Sequence, residues 1–226
     1  MRTRTRANPV EGGSYSVEVT TKRRYDATRR RAAAEERRTL VATVAAEMFA
    51  RRGWSGTTIA GVAAEAGVSP ELVSSAFGGK PGLFMAAFRH ATLGHGGTLP
   101  EALAALGLEQ EPDREIRLTR FVDFACDILE RMAPLVSVLA LAADQDAELQ
   151  GLVTAAELRH AETSRAAVGL LSTGPVSEAV VDEVYVLTRA EVYLTLLRHR
   201  GWTRERYAAW LRRSIRAALA PPVGPV

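Results

Sequence analysis

The chain has 226 residues, 47% of them hydrophobic and 24% charged, with a formal net charge of +3; that is material for one large domain, or for a small and a larger domain sharing an interface. The single cysteine, Cys126, excludes an intrachain disulfide framework and fits a reducing compartment. No apolar run approaches the ~20 residues of a membrane helix, and the arginine-containing N-terminus lacks the apolar core of a secretory signal, so a cytoplasmic protein with no membrane partner is expected.

Charge is distributed unevenly. Residues 1–38 hold eleven Lys or Arg and five acids, a local charge of +6, against −3 for the rest. A basic end on a mildly acidic body suits contact with a polyanion, and a solvated tail accounts for it equally well. Residues 1–27, rich in Arg, Thr, Ser and Gly, read as a disordered basic arm. From about Thr28 the composition turns to the helix formers Ala, Arg, Glu and Leu. Leu40, Val41, Val44, Ala45, Met48 and Phe49 recur at helical spacing, and Gly53 ends that helix after Arg51 and Arg52.

The connection Trp54-Ser55-Gly56-Thr57 leads to Thr58, a good N-cap for a helix Ile59 to Ala66. Gly67 stops it. Ser69 caps a third helix with Pro70 at its first position, where the missing N–H costs nothing. Gly78-Gly79 breaks this helix near Phe77, and a fourth starts at Lys80-Pro81. Beyond Gly94-His95-Gly96-Gly97, helical periodicity runs through 99–107, 113–132, 134–143, 146–171, 177–199 and 203–219. Pro112, Pro134, Gly174-Pro175 and Gly201 punctuate these segments, and the proline-rich 221–226 reads as a frayed tail. The reading is all-α, with domains at 28–80 and 81–220.

Residues 58–77 form a helix–turn–helix pattern. Ala63 is small enough for close helix packing, Gly67 permits the positive φ of the turn, and Val62, Val68 and Val73 supply an apolar core. In such a motif the second helix lies in the DNA major groove.

Residues 40–84 resemble the DNA-binding domain of the tetracycline-repressor (TetR) family. The likeness rests on Val41 through Phe49, Arg52-Gly53-Trp54, Thr57-Thr58-Ile59, Val62-Ala63, Ala66-Gly67-Val68-Ser69, Phe77, Lys80 and Leu83-Phe84, in register without a gap. Tyr25 to Arg31 resembles the lead-in of a subset of the family, and Arg200 to Leu211 the start of its last helix. The resemblance implies an N-terminal three-helix DNA-binding domain and a C-terminal helical bundle that binds a small-molecule effector and dimerises. It also implies a ligand-responsive repressor bound to a double-stranded operator. Carried over by position, Thr58 and Lys80 meet phosphates, Pro70, Glu71, Ser74 and Ser75 on the exposed face of the second helix meet base edges, and Thr57 and Ser69 join the DNA-binding set. Arg29 and Arg30 in the basic stretch are candidates for flanking DNA.

The chain departs from the family pattern at five positions. The family usually has an aromatic at Ser74, often His at Ser75, Gly at Glu71, Thr at Leu72 and Arg at Ala60. The recognition helix therefore has no Arg, Lys, Asn or Gln, and bidentate readout of guanine or adenine from it is not available.

In the body, Phe121, Phe124, Ala125 and Ile128 share one side of a helix. With Leu139 and Tyr185 they are the candidates for an effector pocket; plain core is the competing reading. Val180, Val184, Leu187, Leu194 and Leu197 form one apolar stripe, and Tyr207, Trp210, Leu211, Ile215 and Leu219 another. The resemblance implies a homodimer through 177–199 and 203–219; a cap on the protomer's own core is the alternative. Arg189 and Glu191 interrupt an apolar segment, as an exposed edge, a buried pair or a pocket's polar handle.

The four histidines have no metal-ligand spacing, Gly78-Gly79-Lys80 lacks the full phosphate-loop pattern, and no nucleophile elbow occurs. No cofactor or catalytic residue is therefore expected. A helical interaction protein with a silent helix–turn–helix, and less so a small-molecule enzyme, remain the other classes.

Overall fold

The computed structural model describes residues 16–94, 98–144 and 147–220, and the regular elements among them are all helices. The chain divides into two units, residues 1–38 and 39–226. The first unit carries the start of α1 (Ser16–Gly56), with Arg29, Arg30, Arg31, Arg37 and Arg38 exposed. Helix thus begins at Ser16, ahead of the Thr28 expected from composition. Val17, Val19, Thr20 and Thr21 are weak helix formers, but adding residues to an existing helix does not repeat the cost of nucleation. Residues 1–15 of the expected arm and the 221–226 tail lie outside the described residues.

In the second unit α1 is interrupted at Gly53, whose φ of 68° and ψ of −173° are not helical. Helices α2 (Ile59–Ala66), α3 (Pro70–Phe77) and α4 (Lys80–Leu93) follow, then a short α5 (Leu99–Ala104). The body consists of α6 (Arg114–Ala143), α7 (Ala147–Leu171), α8 (Glu178–Leu187), α9 (Ala190–Leu194) and α10 (Arg204–Ala218). A π-helical turn, Thr195–His199, extends α9.

Two apolar cores organise this unit. One joins Val41, Ala45, Met48 and Phe49 of α1 with Val62 and Ala63 of α2, Val73 of α3, and Leu83, Phe84 and Ala87 of α4. The other joins Phe121, Val122, Cys126 and Leu129 of α6 with Val168, Val184, Tyr193, Tyr207, Leu211 and Ile215. Helix α6 serves both: residues up to Ala133 pack in the body core, whereas Leu135, Val138, Leu139 and Ala142 pack with α1 and α4.

Helix boundaries in the body also differ from the expected ones. Pro134 does not end a helix; α6 runs through it for 30 residues. The ring removes one backbone hydrogen bond at a cost of about 3 kcal/mol. Burial of Ala133 and Leu135 on either side, at 0% and 1% exposure, holds the helix together by packing. Conversely, 177–199 is not continuous, because Arg189 adopts an extended φ/ψ of −68°/140° between α8 and α9. No glycine or proline marks that break, and Arg189 itself makes the tertiary contacts described below.

Candidate nucleic-acid interface

Thr58 and Ser69 cap the two helices of the motif. The Thr58 hydroxyl accepts from Gly61 N–H at 3.0 Å, and the Ser69 hydroxyl accepts from Leu72 N–H at 3.2 Å. Gly67 adopts φ 68° in the left-handed region, and Val68 N–H closes the turn on Ala63 O at 3.0 Å. With Val62, Ala63 and Val73 all at 0% exposure, α3 is held by its inner face alone. Its other residues Pro70, Glu71, Leu72, Ser74 and Ser75 are exposed.

The far end of α3 is fixed by a residue that the sequence pattern did not single out. At Gly82 in the first turn of α4, a Cβ would lie 1.8 Å from the Phe77 carbonyl oxygen. The end of α3 therefore rests against bare backbone of α4. A helical glycine gives no signal of such an approach until the neighbouring segment is placed.

Thr57 does not join this surface. It is fully buried, and its hydroxyl donates to Gly53 O at 2.9 Å, bracing the turn after α1. This corrects its expected place among the DNA-binding residues, since a buried hydroxyl cannot reach a duplex. Lys80 is half-buried. Its Nζ donates to Trp54 O at 2.6 Å and lies 4.5 Å from the centroid of the Trp54 ring. Partial burial lowers its pKa from the ordinary lysine value. One of its three N–H donors is thus used within the protein. The ends of α1 and α2 are bridged by Arg51 and Arg52, at 3.1 and 3.7 Å from the Glu65 carboxylate. These exposed pairs are each worth well under about 1 kcal/mol. Arg29 and Arg30, exposed on α1, belong to the other unit.

The effector candidates do not converge on one cavity. Phe121 is in the body core with Phe124 and Ala125 packed against it, and Ile128 is buried. Leu139 belongs to the other core, with α1 and α4. Tyr185 joins a polar cluster where α8 breaks. The Arg189 guanidinium pairs bidentately with Glu157 at 2.9 and 3.0 Å, donates to Tyr185 Oη at 2.6 Å, and reaches Glu191 at 3.1 Å. The Tyr185 hydroxyl also donates to Glu157. This guanidinium sits where α8 gives way to α9, and its partners decide among the readings left open for Arg189 and Glu191: they form a partly buried ion-pair hub. Burial alone would raise the Glu157 pKa, but the hydrogen bonds from Tyr185 and Arg189 outweigh it and hold the carboxylate below its usual range.

His160 completes the cluster, with Nε2 3.0 Å from Thr188 Oγ1 and its ring 4.6 Å from that of Tyr185. Burial lowers its pKa below the ordinary 6.5; Glu157 and Glu191 oppose that shift and Arg189 adds to it. The unfolded chain then binds a proton here more readily than the folded one, so stability falls as pH drops through the ordinary histidine range. Replacing His160 with Gln is expected to flatten the fall in melting temperature between about pH 7.5 and 5.5; an unchanged profile would place the acid sensitivity elsewhere.

The expected dimer stripes are largely internal. Val184, Tyr207, Leu211 and Ile215 are at 0% exposure within the protomer's own core. Tyr207 donates its hydroxyl to Leu187 O at 2.7 Å. Val186, at 52% exposure, and the half-buried Val180, Leu187, Leu194, Leu197, Trp210 and Leu219 are what these segments leave toward solvent. Two surface clefts flank them, one lined by Asp182, Glu183, Val186, Leu187 and Ser214, the other by Glu191, Val192, Thr195, Leu196 and Trp210. Neither contains an effector candidate.

Cys126 is fully buried, and desolvation pushes its thiol up to about 11, which leaves little thiolate at neutral pH. Among the described residues no cluster of His, Cys, Asp and Glu could hold a metal ion, and no helix is long and apolar enough to cross a membrane.

A helix–turn–helix whose second helix presents an open outer face, mounted on a helical body, defines the class: an all-α protein with the fold of a DNA-binding regulator. Residues 42–87 match the profile described as bacterial regulatory proteins, tetR family. That match covers the helix–turn–helix and the helices that flank it. No curated protein matches the sequence. Among solved structures, a TetR-family transcriptional regulator from Streptomyces coelicolor is similar at a TM-score of 0.58 and 23% identity, covering 81% of this chain and 80% of that one. A TetR transcriptional regulator from Chloroflexus aurantiacus is similar at 0.57 and 21% identity, covering 81% and 96%. A TetR-like transcriptional regulator from a Rhodococcus species is similar at 0.52 and 20% identity, covering 81% and 95%. At these identities the likeness is one of fold.

Proposed function

We propose that two copies of this chain bind a pseudo-palindromic DNA operator and repress transcription, and that a small apolar effector releases them. The observation that carries the reading is α3: packed through buried Val73 and half-buried Phe77 on its inner side, capped at Ser69, and exposed along its outer face. In this reading α3 enters the major groove, Thr58 and Lys80 meet phosphates, and Ser69, Pro70, Glu71, Ser74 and Ser75 lie at base edges. Exposed Arg29 and Arg30 contact flanking DNA, supported by the +6 charge of residues 1–38. Two recognition helices must span grooves about 34–36 Å apart, which calls for a dimer; the solvent-facing part of α8 and α10 around Val186 is its proposed seam. Signal passes from body to α4, supported by Arg131 Nε donating to Ala91 O at 2.9 Å and by α6 sharing both cores. The protein acts by binding, without turnover, in the cytoplasm.

The test is fluorescence anisotropy of the full chain with duplex DNA from upstream of its own gene and with scrambled duplex, across salt concentrations. Preference for the upstream DNA, with log affinity falling linearly with log salt, is expected. Weak, equal binding to both, and no enriched sequence from a random pool, would leave the regulator reading without support. Lys80→Ala is expected to weaken all duplexes alike and to reduce the salt slope by about one per protomer. A selective loss on operator alone would remove Lys80 from the phosphate contacts.

A further inference from the structure

The outer face of α3 has an unusual chemical composition for reading bases. Opposite buried Val73, the helical repeat places Glu71 and Ser75 one turn apart at the centre, with Leu72 and Ser74 on the flanks. Leu72 is 41% exposed, on an eight-residue helix whose other apolar residues are buried or half-buried, Pro70 apart. Glu71 is an acceptor only, whereas each serine hydroxyl can donate and accept.

Base edges in the major groove sort against this set. Guanine presents two acceptors, N7 and O6, and would set them against the Glu71 carboxylate. Adenine offers one donor beside the acceptor N7. Cytosine offers the N4 amino donor, and thymine alone offers a methyl group. We propose that α3 reads pyrimidine edges, Glu71 accepting from a cytosine N4 amino group and Leu72 packing on the C5-methyl of a thymine nearby, with guanine rejected by the carboxylate. This rests on the DNA-binding reading above and names its specificity. Much of the discrimination is repulsive, since an unpaired carboxylate facing acceptors costs more than a missing contact. Ser74 and Ser75 accept either kind of edge and add little selectivity.

The experiment selects duplexes from a random pool with the full chain, then remakes the winner with deoxyuridine in place of single thymines. One thymine per half-site is expected to matter. Removing its methyl should weaken binding roughly fourfold per half-site, the value of one buried methyl, and the Leu72→Ala variant should be indifferent to the change. Guanine in place of the read cytosine should cost at least about tenfold, and Glu71→Gln should shift the preference there to adenine, which glutamine reads bidentately. Both side chains are exposed, and a thermal melt confirms that the variants fold. Specific binding that ignores uridine and tolerates guanine would overturn this inference while leaving the regulator intact. The absence of any enriched sequence would overturn both.

Discussion

Gly82→Ala is expected to abolish sequence-specific DNA binding and to destabilise the N-terminal core by about 3 kcal/mol, the upper end of overpacking costs. In an exposed helix the same change is favourable by roughly 0.5–1 kcal/mol, so the sign depends on surroundings. At Gly82 the new Cβ would fall 1.8 Å from a backbone oxygen, Phe77 O. That atom cannot swing away as a side chain would; the C-terminal end of α3 must move with it. Gly151 of α7, where nothing lies within 4 Å of an added Cβ, provides the control, and its alanine variant should be slightly stabilised. Urea midpoints at constant m-value measure both. A Gly82→Ala protein as stable as the parent would mean that α3 and α4 do not meet as described.

The second large effect is expected at Phe84. It is at 0% exposure, with its ring edge-on to Phe49 at 5.0 Å and to Trp54 at 5.8 Å and 6.3 Å from Phe88. Truncation to alanine removes all three contacts and leaves a cavity in a core built from α1, α4 and the second half of α6. The cost should be about 3–5 kcal/mol. The body core shares no buried residue with this one, so helical circular dichroism should persist while DNA binding is lost. A loss below about 1 kcal/mol would show that neighbouring side chains collapse into the space.

The helix–turn–helix was legible because its signals are local. Thr58 and Ser69 cap helices by bonding three residues along, Gly67 and Gly78 take left-handed φ values, and Val62 and Val73 fall at core spacing. Each is a property of a few consecutive residues. Thr57 misled because it adjoins a true cap: a hydroxyl beside an N-cap looks alike in sequence whether it faces DNA or donates to Gly53 O. The effector candidates share one helical side of α6 or its neighbours, yet Leu139 packs in a different core from Phe121. Periodicity gives the face of a helix and not what lies opposite.

The sequence by itself determined the all-helical class, the order of the first four helices, the turn glycines and the family resemblance of residues 42–87. All of these follow from hydrogen bonds and apolar spacing within one or two helical turns. The tertiary structure alone decided that α6 passes through Pro134, since burial of Leu135 and its neighbours offsets one lost backbone bond. It alone placed a break between α8 and α9 at Arg189, whose partner Glu157 is 32 residues away. It alone brought Phe77 O to rest against Gly82, where a Cβ would fall 1.8 Å from that oxygen. Those three outcomes depend on packing and pairing between elements, which the propensities of single residues do not encode.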